Sequence, residues 1–446
     1  MESFIAAANS DMQADVHIPE LDLRAFDKQA SYVIRRDQTS TICPVPVLNP
    51  RTTRTAKMTV TDANFIDVGS CFFTFTVRNL ANAADNQVLQ PLSAIPHNFF
   101  RRMRVMLNGT VLEDISHLNR VEEQISRFLS AGKRRNAGDA GTGWATLTDE
   151  GTGSISKTIP RNGTKKVSWR PLSSGFMACG KYVPLLGGSA GGWSVELELA
   201  DPADAVLAHG DEAAGGLSQS WAIEDLRLHV DSVTLTTDLA NEFAEQLVND
   251  SILIPFQSIA CDMQYFAPGT TDVNISLAKQ YSRLNTVTAS FCDLPEAVPP
   301  AGAAGVHSRT MNRFYLAHAN KDKVNTYLQV NNQRFPAHDT VGATQHFVRL
   351  QQGLGLHNSL MHSLCFSQDA YGGTDAGDAA PKDARYFLVM NDVEAVPHVS
   401  ASGMPVLGGG VIQFVAKDVG QPRTVYLTCQ FDSVCEIRNQ GCALFT

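Results

Sequence analysis

The sequence predicts an all-β protein built as two tandem β-sandwiches or jelly rolls, with a few short helices. Three observations lead there. Apolar and polar residues alternate along most of the chain between Gly, Pro, Asn and Asp punctuation, the signature of strands with one buried face. Helical periodicity is confined to three short stretches. Several features recur in the same order about 200 to 220 residues apart, as two copies of one module would give.

In chain order, "CFFTFTV" (71–77) alternates as a strand, and "VMLNGTVLED" (105–114) reads as a hairpin. The stretch 117–131 has helical spacing, "WSVELELA" (193–200) and "LRLHVDSVTLT" (226–236) return to strand alternation, and 238–249 is a second helix. A second hairpin falls in "YLQVNNQRFPAHD" (327–339), a third helix at 341–353 and a long strand at 424–437. Segments 136–154, 296–305 and 367–383 are poor in large apolar side chains. They cannot build a core and are expected as surface loops.

The recurrence is specific. "VPLLGG" (183–188) returns as "MPVLGG" (404–409), each ahead of a strand, and "HVDSVTLT" (229–236) returns as "QFDSVCEI" (430–437). Asn108 in the first hairpin answers Asn331 in the second, and a short amphipathic helix follows each. This places a join near "NDSILIPFQS" (249–258), with modules at 31–248 and 249–446.

The stretch "NFFRRMRVMLNG" (98–109) holds Arg101, Arg102 and Arg104 and could be a nucleic-acid grip or framework. Asn-Gly favours a type I′ turn, because both central residues need positive φ. Centring the turn on Asn108 and Gly109 pairs Leu107 with Thr110 and Val105 with Leu112, and sets Arg104 opposite Glu113. Phe99, Met103, Val105 and Leu107 then share one face, with Arg102 and Arg104 on the other. Arg101 falls among the apolar set and needs a partner or the strand end. A half-buried strand with a charged outer face fits better than a grip, which needs a wider basic surface or base-stacking aromatics. The second hairpin carries only Arg334, so the arginines are not essential to the module.

The 446 residues carry 36 basic and 45 acidic side chains, a net charge of -9, which opposes broad coating of DNA. The nine cysteines are scattered without a CxxC pair and are expected as reduced thiols. Cys429, Cys435 and Cys442 suit alternating strands better than a metal knuckle. No stretch reaches the roughly 20 apolar residues of a membrane span, and the first twenty residues lack a secretory pattern. "GGSAG" (187–191) puts Ser189 in a nucleophile-elbow pattern, but the residues after it alternate as a strand where an elbow needs a helix. His338, His346, His357 and His362 form neither HxH with a downstream Glu nor HExxH. Glu122 and Glu123 are expected on a solvated helix face. "KRR" (133–135) and "KK" (165–166) are expected beside loops, with an inward role near a genome left open. No catalytic residue, metal ligand or cofactor site is singled out, and no enzyme activity is expected.

Three stretches carry a family resemblance: "HNFFRRMRVMLNGTVLEDISHLNRVEEQI" (97–125), "YVPLLGGSAGGWSVELELADPADAVL" (182–207) and "NRFYLAHANKDKVNTYLQVNNQRFPAHDTVGATQHFVRLQQGLG" (312–355). They resemble the double jelly-roll major capsid proteins of icosahedral DNA viruses, of the polinton-like virus, adintovirus and virophage type. The likeness spans nearly the whole chain and rests on pattern. It implies two tandem jelly rolls and a homotrimer whose six rolls form a pseudo-hexagonal capsomer tiling a shell. It also implies contact with neighbouring capsomers, with penton and minor capsid proteins, and with an inner membrane or the genome at the inner face. Residues 1–30 would be an N-terminal arm on the inner side, and no small-molecule substrate is implied. The protein would be made in the host cytoplasm and reside in the virion. The chain is shorter than many relatives, which implies modest loop insertions. The reading from another class is a carbohydrate-binding or glycan-processing pair of β-sandwiches. It would need an aromatic platform, yet Trp144, Trp169, Trp193 and Trp221 all lie in the first half without clustering.

Overall fold

The computed structural model describes residues 33–61, 64–81, 88–89, 91, 96–133, 159–185, 192–206, 218–267, 269–292, 314, 316, 318–356, 363–372, 386–393, 403–406, 408, 410–420, 424–438 and 441–446. The segments 1–30, 136–154 and 296–305, Ser189, His357, His362 and Trp144 lie outside them.

In the first half the chain gives β1 (Val33–Ile42), β2 (Val47–Leu48), β3 (Thr55–Val60), β4 (Phe65–Asn79), β5 (Phe100–Leu107) and β6 (Thr110–Ser116). Helix α1 (Leu118–Phe128), β7 (Thr164–Trp169), β8 (Tyr182–Pro184), β9 (Trp193–Leu199), β10 (Trp221–Leu235) and α2 (Thr237–Asn249) follow. The second half gives β11 (Ile252–Tyr265), β12 (Val273–Leu277), β13 (Tyr281–Cys292), β14 (Asn325–Val330), β15 (Gln333–Val341) and α3 (Gly342–Gly353). It ends with β16 (Leu388–Asp392), β17 (Met404–Val406), β18 (Ile412–Lys417), β19 (Thr424–Arg438) and β20 (Gly441–Phe445).

The sheet orders repeat. The first half pairs β1-β10-β4-β7 in one sheet and β3-β9-β5-β6 in the other. The second half pairs β11-β19-β13-β16 and β12-β18-β14-β15. Even the accessory strands match, since β8 pairs with β4 as β17 pairs with β13. Two packed antiparallel sheets in this crossed order, each fed alternately by the chain, make a jelly roll. The "VPLLGG" and "MPVLGG" echoes begin in β8 and β17, and the "DSV" echoes lie in β10 and β19.

Alternation explains the packing. In β4, Cys71, Phe73, Phe75 and Val77 are buried while their neighbours are partly open. The two sheets meet through rings: Phe75 of β4 lies 5.3 Å edge-on to Phe100 of β5, and Phe100 stacks on Trp169 at 5.1 Å. In the second half Phe291 of β13 reaches Phe414 of β18 at 6.2 Å. Trp169, Trp193 and Trp221 are fully buried in the first core, so none of the three is offered as a sugar platform. Both hairpins turn as expected, with positive φ at Asn108 and Gly109 and at Asn331 and Asn332.

Three expectations need correction. The segment expected as a loop from 367 opens with a helical turn, Gln368–Gly372, that buries Tyr371. The other two concern the first hairpin and the helix after it, and lead into the site.

Candidate assembly interface

The β5–β6 hairpin pairs Leu107 with Thr110 and Met106 with Val111, and then the register shifts. Val105 faces Glu113, not Leu112, and Arg104 faces Asp114, not Glu113. The extra residue is a β-bulge, which turns consecutive side chains Leu112 and Glu113 inward together. A strict alternation could not foresee it. The arginines stay outside and are matched by carboxylates. Arg102 grips Asp114 with two bonds of 2.6 and 2.5 Å, Arg104 reaches Glu196 at 3.0 Å, and Arg101 stands 3.6 Å from Asp201. A second register shift, between Phe100 and Arg102 against β9, puts Arg101 at the surface. The cluster is framework.

The inward Glu113 is fully buried. Ser174 Oγ donates to its carboxylate, and the backbone N–H groups of Gly175 and Phe176 donate to it at 2.9 and 3.3 Å. Burial nevertheless pushes its pKa up to about 7, against the pull of these donors. The turn it holds, Gly175–Ala178, lies on the second half. Phe176 packs edge-on to Phe256 of β11 at 5.4 Å, and a Cβ added at Gly175 would fall 1.6 Å from the Gln257 carbonyl oxygen. Only a residue without a side chain permits that approach.

Helix α1 overturns the expectation of a solvated face, since Glu122, Glu123, Gln124 and Arg127 are all buried. Glu122 accepts from Leu172 N and Ser173 N at 2.9 and 2.8 Å and from Ser173 Oγ at 2.5 Å. Glu123 pairs with Arg127 one turn on, with Nε 2.8 Å from Oε1, and His97 Nε2 lies 3.3 Å from its other oxygen. Gln124 crosses the boundary between the halves, donating to Ser290 Oγ at 2.5 Å and accepting from Thr428 Oγ1 at 2.8 Å. Arg127 sits over the Tyr386 ring at 4.8 Å, and the Cys365 thiol donates to its carbonyl. The polar pattern that reads as a wet face is a buried polar seam. A sequence cannot distinguish the two without knowing that a second module covers the helix.

The seam continues into the cores. The first core takes in Ile252, Ile254 and Phe256 of β11 and Tyr426, Cys435 and Ile437 of β19. Thr110 Oγ1 donates to the Cys442 carbonyl at 2.9 Å, tying the first hairpin to β20. The outer counterparts are bare: β1 buries none of its side chains, and β15 is exposed along most of its length. A groove of about 370 Å³ lined by Pro336, Thr340, Arg349, Gln352, Met390 and Asp392 adjoins β15.

The remaining candidates stay apart. His346 is buried between Thr326 Oγ1 and the Gly342 carbonyl at 2.8 and 2.7 Å, and burial lowers its pKa to about 4. His338 is exposed on β15. Among the described residues no group of three or more His, Cys, Asp or Glu could hold a metal, and no helix is long and apolar enough to cross a membrane.

Two jelly rolls in tandem, joined by a buried polar seam, make the double jelly-roll fold of viral major capsid proteins. Solved structures with this fold include a chain of the PBCV-1 virus capsid, at 12% identity and TM-score 0.59 over 94% of this chain and 99% of that one. The Faustovirus major capsid protein matches at 7% identity and TM-score 0.54, covering 92% and 91% of the two chains. The mavirus major capsid protein matches at 8% and 0.50, covering 96% and 95%. At such identities the likeness is one of fold. No protein-family model matches the sequence, and no curated protein matches it.

Proposed function

We propose that this protein is a viral major capsid protein, a structural and non-enzymatic subunit. Three copies form a capsomer of six jelly rolls in pseudo-hexagonal array, and capsomers tile an icosahedral shell. Residues 1–30 form an arm, 31–248 the first roll and 249–446 the second. The partners are further copies of the chain, penton and minor capsid proteins, and an inner membrane or the genome at the inner face. The protein is made in the host cytoplasm and resides in the virion.

One asymmetry carries this reading. In the first roll α1 and the inward residues of β6 are covered by the second roll, and one face of β11 is covered in return. The matching surfaces at the chain's two ends, β15 with α3 and β1, are open. Each open surface exposes apolar side chains: Ile34 at 65% and Ile42 at 55% on one, Val341 at 41% and Val348 at 38% on the other. A heterologous contact of β15 and α3 with β1 of the next copy repeats the internal junction and closes when six rolls complete a ring.

Light scattering of the purified chain is expected to give three times the 48.3 kDa protomer mass, with hexagonal particles by electron microscopy. The double change Ile34→Glu and Ile42→Glu should yield a folded monomer with an unchanged circular dichroism spectrum. A wild-type chain that stays monomeric at every concentration and ionic strength would overturn the reading.

A further inference from the structure

The last strand carries chemistry that a shell protein does not require. β19 ends at Arg438 and β20 returns antiparallel, setting Cys435 opposite Leu444 and Ile437 opposite Cys442. The diagonal neighbours Cys435 and Cys442 bring their Sγ atoms to 3.0 Å. Forming a bond of 2.03–2.05 Å would need a closure of about 1 Å.

The two thiols are not alike. Cys435 is fully buried and Cys442 is partly exposed. The two sulfurs share one hydrogen bond in which either can donate, so one thiol can ionise while the other stays protonated, and burial disfavours charge on Cys435. An accessible thiol with a buried thiol 3.0 Å behind it is the arrangement of an attacking and a resolving cysteine. Cys71, Cys261 and Cys429 are buried, with pKa values raised by burial, and are poorly placed to compete. Cys179 is the one rival near this pair, close enough for its charge to raise Cys435.

We propose that Cys435 and Cys442 form an intramolecular disulfide when the protein meets a small-molecule disulfide such as oxidised glutathione, fastening β20 to β19. The Cys442 thiolate attacks one sulfur of the oxidant, forming a mixed disulfide and expelling one small thiolate, which takes up a proton. Cys435 then gives up its proton and attacks Cys442 Sγ, expelling the second small thiol. Two protein thiols and one small disulfide become one protein disulfide and two small thiols. Two electrons pass to the oxidant. Because Thr110 of the first hairpin is bonded to the Cys442 carbonyl, the crosslink also anchors the strand that clasps the two rolls together.

The test is independent of the capsid reading. The full chain is incubated with oxidised glutathione, alkylated, and analysed by intact mass and peptide mapping. The expected result is loss of two of nine free thiols, a Cys435–Cys442 crosslinked peptide, and a higher thermal midpoint that reducing agent reverses. Cys442→Ser should abolish the loss, and Cys179→Ser should leave it intact. Retention of all nine thiols, a stable glutathione adduct at Cys442, or a crosslink from Cys435 to Cys179 would each overturn the proposal. Mapping the wild type needs no variant to fold.

Discussion

Helices α1 and α3 follow the same hairpin in the two rolls, and they are packed in opposite ways. Helix α1 is closed on nearly all sides, so that Glu122, Glu123, Gln124 and Arg127 are buried. Helix α3 buries only Gly342, Ala343, His346 and Leu350, and leaves Thr344, Gln345, Val348 and Arg349 exposed. The strands before them differ in step: β6 turns Leu112 and Glu113 inward, while β15 carries Pro336 and Asp339 in an open bulge. Burial at these positions is thus a property of the junction, and not of the module. What lies inside the chain for one roll lies at its boundary for the other.

The sharpest way to break this contrast is to remove one arginine from each helix. Arg127→Ala strips buried Glu123 of its guanidinium partner, leaving His97 3.3 Å away, and loses the stacking on Tyr386. Breaking a buried pair from one side costs about 3–5 kcal/mol. Arg349→Ala, at an exposed site, should stay within roughly 0.5 kcal/mol of the parent. Urea denaturation of the two variants checks this. Equal losses would mean that the helices are not distinguished by what covers them.

Next in size is an opposition in pH dependence. Glu113 in the first roll has its pKa raised by burial to about 7 from 4.5, so the fold prefers it protonated. Its contribution is full below the unfolded value and is lost as pH rises through about 7, a change of roughly 3 kcal/mol. His346 in the second roll is lowered to about 4 from 6.5, so the fold prefers it neutral. Its contribution is present above the unfolded value and is lost as pH falls through about 4. Glu113→Gln should therefore flatten the stability profile between pH 5 and 8, and His346→Gln should flatten the limb below pH 6. Urea midpoints across the range test both. A Glu113→Gln profile parallel to wild type would remove Glu113 from the account.

This opposition also marks how far the sequence could be read. The strands, both hairpin turns and the three helices follow from alternation, Asn-Gly and Asn-Asn turn chemistry and helical spacing, all of which are local. The two-module plan followed from echoes that fall on matching strands, β8 with β17 and β10 with β19. The seam did not follow, because polarity in "NRVEEQISR" reads the same whether water or a second sandwich faces it. The bulge at Leu112–Glu113 was equally hidden. It shows only as two buried residues in succession, Leu then Glu, and a glutamate is rarely assigned inward without its donors, which come from residues 174–176. A glycine followed by an apolar pair, "GFM" (175–177), is the one local hint of a close approach.

The smallest effect concerns the outer faces of the hairpin sheets. In the first roll that face is laced by Arg102 with Asp114 and Arg104 with Glu196, whereas in the second a single pair among the described residues, Arg334 with Asp339, lies on β15 and Gln413 donates to Asn274 at 3.0 Å. Strand order is the same, so the number and placement of charges there are a choice of surface and not a requirement of the fold. Pairs this open to solvent contribute about 0.2–1 kcal/mol, and salt screens them. Arg102→Ala should thus lower stability by under about 1 kcal/mol in dilute buffer and by less in 1 M salt, while Gln413→Ala should show no salt dependence. Duplex DNA binding, measured by fluorescence anisotropy, should be equally weak for wild type and Arg102→Ala, because the guanidinium is already held by a carboxylate. A marked loss of DNA affinity on replacing Arg102 would return the cluster to the role of a grip, and would make the two rolls different in function as well as in packing.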